Sequence, residues 1–209
     1  YRELRELAYM GATVMHEEAI FPVREACIPI NIRNTNAPED PGTMIVPQSD
    51  RFSDTVITGV AGRKGFSSIT IEKDRMNTEV GFGRKVLNVL EDFGISFEHA
   101  PTGIDTMSVV VATAAIAPCK DAIIGRIFRD ANADSVTIED DIALIAIVGR
   151  GMVRNKGPAG RVLTSIADRD INIRMIDQGS GENNIIVGVS ESDYTAALQA
   201  IYHEFVRGA

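Results

Sequence analysis

Residues 81–111 read GFGRKVLNVLEDFGISFEHAPTGIDTMSVVV, and residues 157–189 read GPAGRVLTSIADRDINIRMIDQGSGENNIIVGV. Laid over one another without a gap, 76 residues apart, they match Gly81 with Gly157, Val86 and Leu87 with Val162 and Leu163, and Asp92 with Asp168. Ile95 then matches Ile171, Gly103 matches Gly179 and Val111 matches Val187, with the apolar phase shared over much of the rest. A repeat of this kind constrains a fold more than any composition can. Each copy has to build the same supersecondary unit and bury its apolar face.

In the first copy, SSITIEK at 67–73 alternates and is rich in β-branched residues, the signature of a strand. Phe82, Val86, Leu90 and Phe93 fall on one face of a helix. Gly94 stands where a helix takes its C-terminal glycine. Residues 95–105 and 106–114 read as two strands, Ile123, Ile124, Ile127 and Phe128 mark a second helix, and 134–140 is a last strand. The order βαββαβ predicts an α+β, ferredoxin-like unit with its helices on one face of an antiparallel sheet.

The second copy begins with a strand at 143–149 and a helix over 158–168, where Pro158 suits the first turn. Strands at 172–178 and 184–190 follow, then a helix carrying Tyr194, Leu198, Ile201, Tyr202 and Phe205. This copy has no fourth strand after its second helix, while DTVITGVAG at 54–62 is a strand the first copy does not need. The economical reading nests the modules. The first, 66–140, is inserted in the second, which is built from 52–65 plus 141–209.

Residues 1–49 have another texture. Leu4, Leu7 and Ala8 predict a helix closing near Gly11, residues 16–34 a helix interrupted near Pro22 and then a strand at 28–32, and NTNAPEDPGT a turn-rich loop. This segment reads as the last elements of a larger α/β domain. The chain starts at Tyr1 inside a helical pattern, as expected of a polypeptide that continues upstream.

Composition narrows the function classes. A net charge of −8 disfavours nucleic acid and anionic membrane surfaces as partners. No apolar run approaches a membrane span and no secretory signal opens the chain, so the expectation is a cytoplasmic protein. Cys27 and Cys119 form no disulfide framework or zinc set and are expected as buried thiols. GVAGRKG and GRGMVRNKG fit neither phosphate-loop pattern. His16, His99 and His203 are scattered surface residues, with His99 of interest only because it adjoins Glu98.

The repeat itself offers the sharpest functional clue. At one matched position the first copy carries Glu98 and the second Arg174. The N–H groups at a helix start near Gly81, Phe82 and Gly83 form a seat for a carboxylate. With Glu98 expected near that helix start, the pair would suit a zwitterion, and Met76 and Phe82 would cover an aliphatic side chain. The plainer alternative leaves Glu98 solvated at a strand end and Met76 and Phe82 in the core.

At this point a resemblance becomes specific. YMGATVMHEEAIFPVREACIPINIRNTNAPEDPGTMI, from Tyr9, resembles the end of the amino-acid-kinase domain of aspartokinases, with its G-A-x-V-x-H, I-P-I-x-I-R and P-G-T elements. VITGVAG, EVGFGRKVLNVLEDFGISFEHAPTGIDTMSVVV and DINIRMIDQGSGENNIIVGV resemble the two regulatory ACT modules that follow in that family, in the same order.

The resemblance implies a regulatory region preceded by a kinase-domain remnant. It implies feedback control of ATP- and magnesium-dependent phosphorylation of the aspartate β-carboxylate. It also implies a homodimer through the ACT modules and an end-product amino acid bound in the first module, often between chains. The effector site of lysine-sensitive members resembles Met76, Gly81, Phe82, Gly83, the strand Ser96, Phe97 and Glu98, and the loop Gly103, Ile104 and Asp105.

Glu98 stands where that family usually has aspartate, and NTEVGFG departs from the D-x-P-G start of the threonine-sensitive class, favouring lysine over threonine. The family's K-F-G-G-T-S-like motif, nucleotide site and aspartate site are absent, so ATP and magnesium belong to a catalytic lobe outside this chain, and the chain alone is expected to be inactive. Two other readings stay open, a stand-alone ACT amino-acid sensor and a structural dimerisation module.

Overall fold

The structure, a computed structural model, describes residues 1–12, 15, 17–47, 55–179, 181 and 183–207. His16 and Asp54 lie outside them. The chain opens with α1 (Arg2–Tyr9) and α2 (Glu17–Glu25), then a two-stranded antiparallel hairpin of β1 (Ile30–Ile32) and β2 (Thr43–Ile45). Helix α2 runs through Pro22 where an interruption is expected. The C-terminal turns still close, with Ala26 N–H donating to the Pro22 carbonyl and Ile28 N–H to that of Val23. The Arg33 guanidinium holds the hairpin loop by bonding the Asp40 and Pro38 carbonyls.

Next come β3 (Gly59–Glu72), α3 (Phe82–Asp92), β4 (Phe97–His99), β5 (Thr106–Ala112), the one-turn α4 (Thr113–Ile116), α5 (Lys120–Asp130) and β6 (Ser135–Val148). Then follow α6 (Pro158–Ala167), β7 (Ile173–Asp177), β8 (Asn184–Ser190) and α7 (Tyr194–Tyr202). The six strands from β3 onward make one antiparallel sheet in the order β4-β5-β3-β6-β8-β7.

The expected nesting is realised by sharing strands. The first half of β3 pairs Gly59–Arg63 with Val148–Leu144 of β6, serving the second unit; its second half pairs with both β5 and the start of β6, serving the first. Each unit thus has the ferredoxin-like strand order. Where the sequence predicts four separate strands there are two continuous ones. The GRKG stretch at 62–65 is absorbed as a bulge, with register shifts on both sides of Phe66 and Gly65 at φ +91°.

Helices α3 and α5 pack Phe82, Val86, Leu90, Ile123 and Ile127 against Ile69, Ile71, Val109 and Val111. Helices α6 and α7 pack Val162, Ile166, Ala197 and Ile201 against Ala143, Ile145, Ile147 and Val187. Successive strand residues point to opposite faces. The alternate set, Leu144, Ala146, Val148, Phe66, Val110 and Ile186, therefore forms a third core on the other side of the sheet, where Leu7 of α1 and Met10, the residue that follows the helix, lie. The sheet curls enough that His99 of β4 bonds Asp177 of β7, its opposite edge, at 2.7 Å.

The repeat survives in detail. Gly81 and Gly157 both start their helices in the left-handed region, at φ +83° and +92°. Gly94 at φ +68° ends α3 with Ile95 N–H on the Leu90 carbonyl and Gly94 N–H on that of Glu91, a Schellman closure. The edge strands share an irregularity: Phe97 faces Val111 and His99 faces Val110, while Ile173 faces Val189 and Met175 faces Gly188.

Val111 therefore corresponds in space to Val189, not to Val187 as the ungapped match has it. The second copy has two more residues in this turn, and a two-residue insertion leaves strand alternation intact. Two expected core positions are also corrected. Phe128 is exposed on α5, one position round the helix from buried Ile127, and Cys27 is exposed at φ +54° in the turn after α2.

Candidate functional site

The predicted site residues fall into two groups. A short 3-10 turn, Met76–Thr78, follows β3 and leads to the glycine start of α3. The loop with Gly103, Ile104 and Asp105 closes onto it. Asn77 N–H donates to the Ile104 carbonyl at 3.1 Å, Arg75 N–H to Asp105 Oδ1 at 2.9 Å and Lys73 N–H to the Asp105 carbonyl at 2.9 Å. A Cβ on Gly83 would come within 3.9 Å of the Met107 side chain. Met76, Gly81, Phe82, Gly83, Gly103, Ile104 and Asp105 thus share one end of the first unit.

The role foreseen for two of them changes. Met76 and Phe82 are each only 4% exposed and sit in the core under α3, so neither covers an open pocket in this arrangement. The first turn of α3 keeps N–H groups without intrahelical acceptors. Beside it Glu79 bonds Lys85 Nζ at 2.6 Å and approaches Lys73 Nζ at 3.4 Å. The Lys85 ammonium, with help from Lys73, holds the Glu79 carboxyl below the usual range.

Ser96, Phe97 and Glu98 form the second group, at the other end of α3. Glu98 sits in β4 opposite Val110 and Val111, three to four strand residues beyond Met107, which at the strand rise is roughly 10–13 Å. Its carboxylate lies on the α1 side of the sheet, accepting a hydrogen bond from the Tyr9 hydroxyl. Within one chain, then, Glu98 and the amides of α3 do not face a common ligand. Ser96 is exposed, and Phe97 is 46% exposed on the sheet edge.

Arg174, the counterpart of Glu98, pairs with Glu139 of β6. Both members of the charge swap therefore have partners that no sequence periodicity announces. The second unit also holds an open cavity of about 400 Å³. Met152, Gly157, Pro158, Ala159 and Gly179 line it, each 76 residues beyond Met76, Gly81, Phe82, Gly83 and Gly103, together with Asn155 and Gln178. Among the described residues no group of three or more His, Cys, Asp or Glu could hold a metal ion. No helix there is long and apolar enough to cross a membrane.

Two βαββαβ units that share long strands, each with a helix opened by a left-handed glycine, define a paired ACT-type fold. The ACT domain family model matches residues 145–205. The chain is 42% identical to aspartokinase 3 of Bacillus subtilis over 209 residues, all of this chain and 46% of that protein. It superposes on the aspartate kinase of Clostridium acetobutylicum with a TM-score of 0.91 and 50% identity, over 98% of this chain and 47% of that one. It shares its fold with E. coli aspartokinase III in complex with lysine and aspartate, at a TM-score of 0.73 and 21% identity over 98% of this chain and 45% of that one. The chain is homologous to the aspartokinases over their ACT-containing part and spans about half the length of the Bacillus, Clostridium and E. coli relatives.

Proposed function

We propose that this chain is the regulatory region of an aspartokinase and binds an end-product amino acid, lysine first, for feedback inhibition. The observation that carries the reading is the repeat made physical. The same glycine-opened helix start occurs in both units, with opposite charges, Glu98 and Arg174, at the matched strand position. An amino acid needs a seat for its carboxylate and an anion for an ammonium. Helix N-terminal amides supply the first and Glu98 the second.

One chain keeps these apart, so the complete site takes Glu98 from one copy and the α3 start from another in a homodimer. Edge strand β4 and exposed Phe97 are available for that contact. The complex of E. coli aspartokinase III with lysine supports lysine as the ligand to try first. The domain division follows: 1–49 from the kinase domain, 66–140 as the effector module, and 52–65 with 141–209 as the second. The ATP- and magnesium-dependent phosphorylation of the aspartate β-carboxylate would lie in sequence outside this chain, in a cytoplasmic enzyme. Ligand binding can inhibit it only by preferring one arrangement of the assembly.

Titration with lysine, threonine and methionine separately, followed by thermal unfolding, tests this. A ligand at a hundredfold excess over its Kd stabilises by about 2.7 kcal/mol. A shift with lysine that Glu98→Ala abolishes supports the reading; a lysine affinity unchanged in that variant removes Glu98 from the site. The cavity at Gly157 favours a second reading, in which the amino acid sits in the second unit.

A further inference from the structure

Helix α1 is fastened to the sheet at every turn. The Glu3 carboxylate accepts bonds from Thr58 Oγ1 at 2.5 Å and Arg150 N–H at 3.2 Å, and Glu6 accepts one from Asn184 Nδ2. Leu7 packs over Gly59 and Met10 enters the core on that face. Residues 3, 6 and 9 share this side of the helix. The first two reach the second unit. Tyr9, in the last turn, reaches the first by donating its hydroxyl to Glu98. Arg63 secures that turn, with Nη1 on the Tyr9 carbonyl at 3.2 Å and its guanidinium 5.6 Å from the ring.

We propose that the Tyr9 hydroxyl and the ammonium of the effector amino acid compete for the Glu98 carboxylate, so that ligand capture releases the last turn of α1. The inference rests on Glu98 being the effector's anion. The Tyr9 bond holds this carboxylate on the α1 side of the sheet, whereas the ligand of a site shared between two copies is seated at the free edge of β4. Glu98 has to leave Tyr9 to meet a ligand seated there. An ammonium–carboxylate bond is stronger than one from a neutral hydroxyl, so the exchange is favourable once ligand arrives. Tyr9 is 41% exposed, so its side chain can swing aside without opening a core. The device joins the N-terminal segment to effector occupancy through one side chain.

Tyr9→Phe tests it, because the ring and its packing stay and only the competing donor is lost. The variant is expected to bind lysine roughly three- to tenfold more tightly than the unaltered chain, the range one hydrogen bond spans. In the unaltered chain, lysine is expected to speed amide hydrogen exchange in the last turn of α1; in Tyr9→Phe that turn exchanges fast already and lysine adds nothing. A folded Tyr9→Phe chain with equal or weaker affinity overturns the competition, since a merely structural bond would lower stability without raising affinity. Glu98→Ala separates the two ideas: if it binds lysine like the unaltered chain, the reading of Glu98 falls and the switch with it.

Discussion

Ser67 donates its hydroxyl hydrogen to Asp140 Oδ1 at 2.6 Å, across the line where β3 and β6 pass from one ACT unit to the other. Ser67 is fully buried, its Oγ also lies 2.8 Å from Thr113 Oγ1, and Lys120 Nζ takes the second carboxylate oxygen of Asp140 at 2.5 Å. Ser67→Ala removes a buried donor from a charged acceptor. It is expected to lower stability by about 1–3 kcal/mol, read as a shift in the urea midpoint at constant m-value.

The same cluster sets an acid limit. Lys120 first, then Ser67, holds the Asp140 carboxyl below its ordinary value of 3.8. A carboxyl depressed in the folded state stabilises fully above the unfolded value, and that contribution is lost as pH falls through the folded one. The stability gap between the unaltered chain and Asp140→Asn should be level across roughly pH 5–8 and close at more acidic pH. Urea melts at several pH values check it, and a gap that widens in acid would contradict the assignment.

Two glycines should respond oppositely to alanine. A Cβ on Gly149 would lie 2.5 Å from Ile57 Cα and 2.8 Å from Thr58 N, backbone that cannot step aside cheaply. Gly160 lies inside α6 with nothing within 4 Å. Gly149→Ala is expected to destabilise by about 1–3 kcal/mol through overpacking. Gly160→Ala should stabilise by about 0.5–1 kcal/mol through helix propensity. Thermal melts of the two variants decide it.

A charge at the helix starts tells which unit seats the ligand's carboxylate. Gly83 and Ala159 occupy the same place in the first turns of α3 and α6. Aspartate there suits the helix dipole, so neither variant should unfold the chain. Gly83→Asp is expected to weaken lysine binding at least tenfold, with Ala159→Asp binding normally. The reverse pattern in calorimetric titrations would move the site to the cavity at Gly157.

The local chemistry was legible in the residues themselves. Gly81, Gly94 and Gly157 mark helix ends because only glycine takes a left-handed backbone without strain, and the periods of Val86–Leu90 and Ile145–Ile147 declare a helix face and a strand. The repeat and the missing fourth strand were enough to predict the nesting, and the quoted motifs enough to predict the family. What the spacing misjudged was reach.

Glu98 and Gly81 are close in the repeat's logic, yet an 11-residue helix and the rise of β5 put them at opposite ends of the unit and on different sides of the sheet. The contacts that fix Glu98 with Tyr9, Arg174 with Glu139, and His99 with Asp177 join residues 89, 35 and 78 positions apart. Such pairings carry no local period, because they depend on how far a six-stranded sheet curls and where α1 lies against it. Only tertiary packing decides those two things: the side chains of Leu7, Met10, Phe66 and Leu144 are selected as apolar by sequence, but brought onto one face by the twist and bulge of strands that two units share.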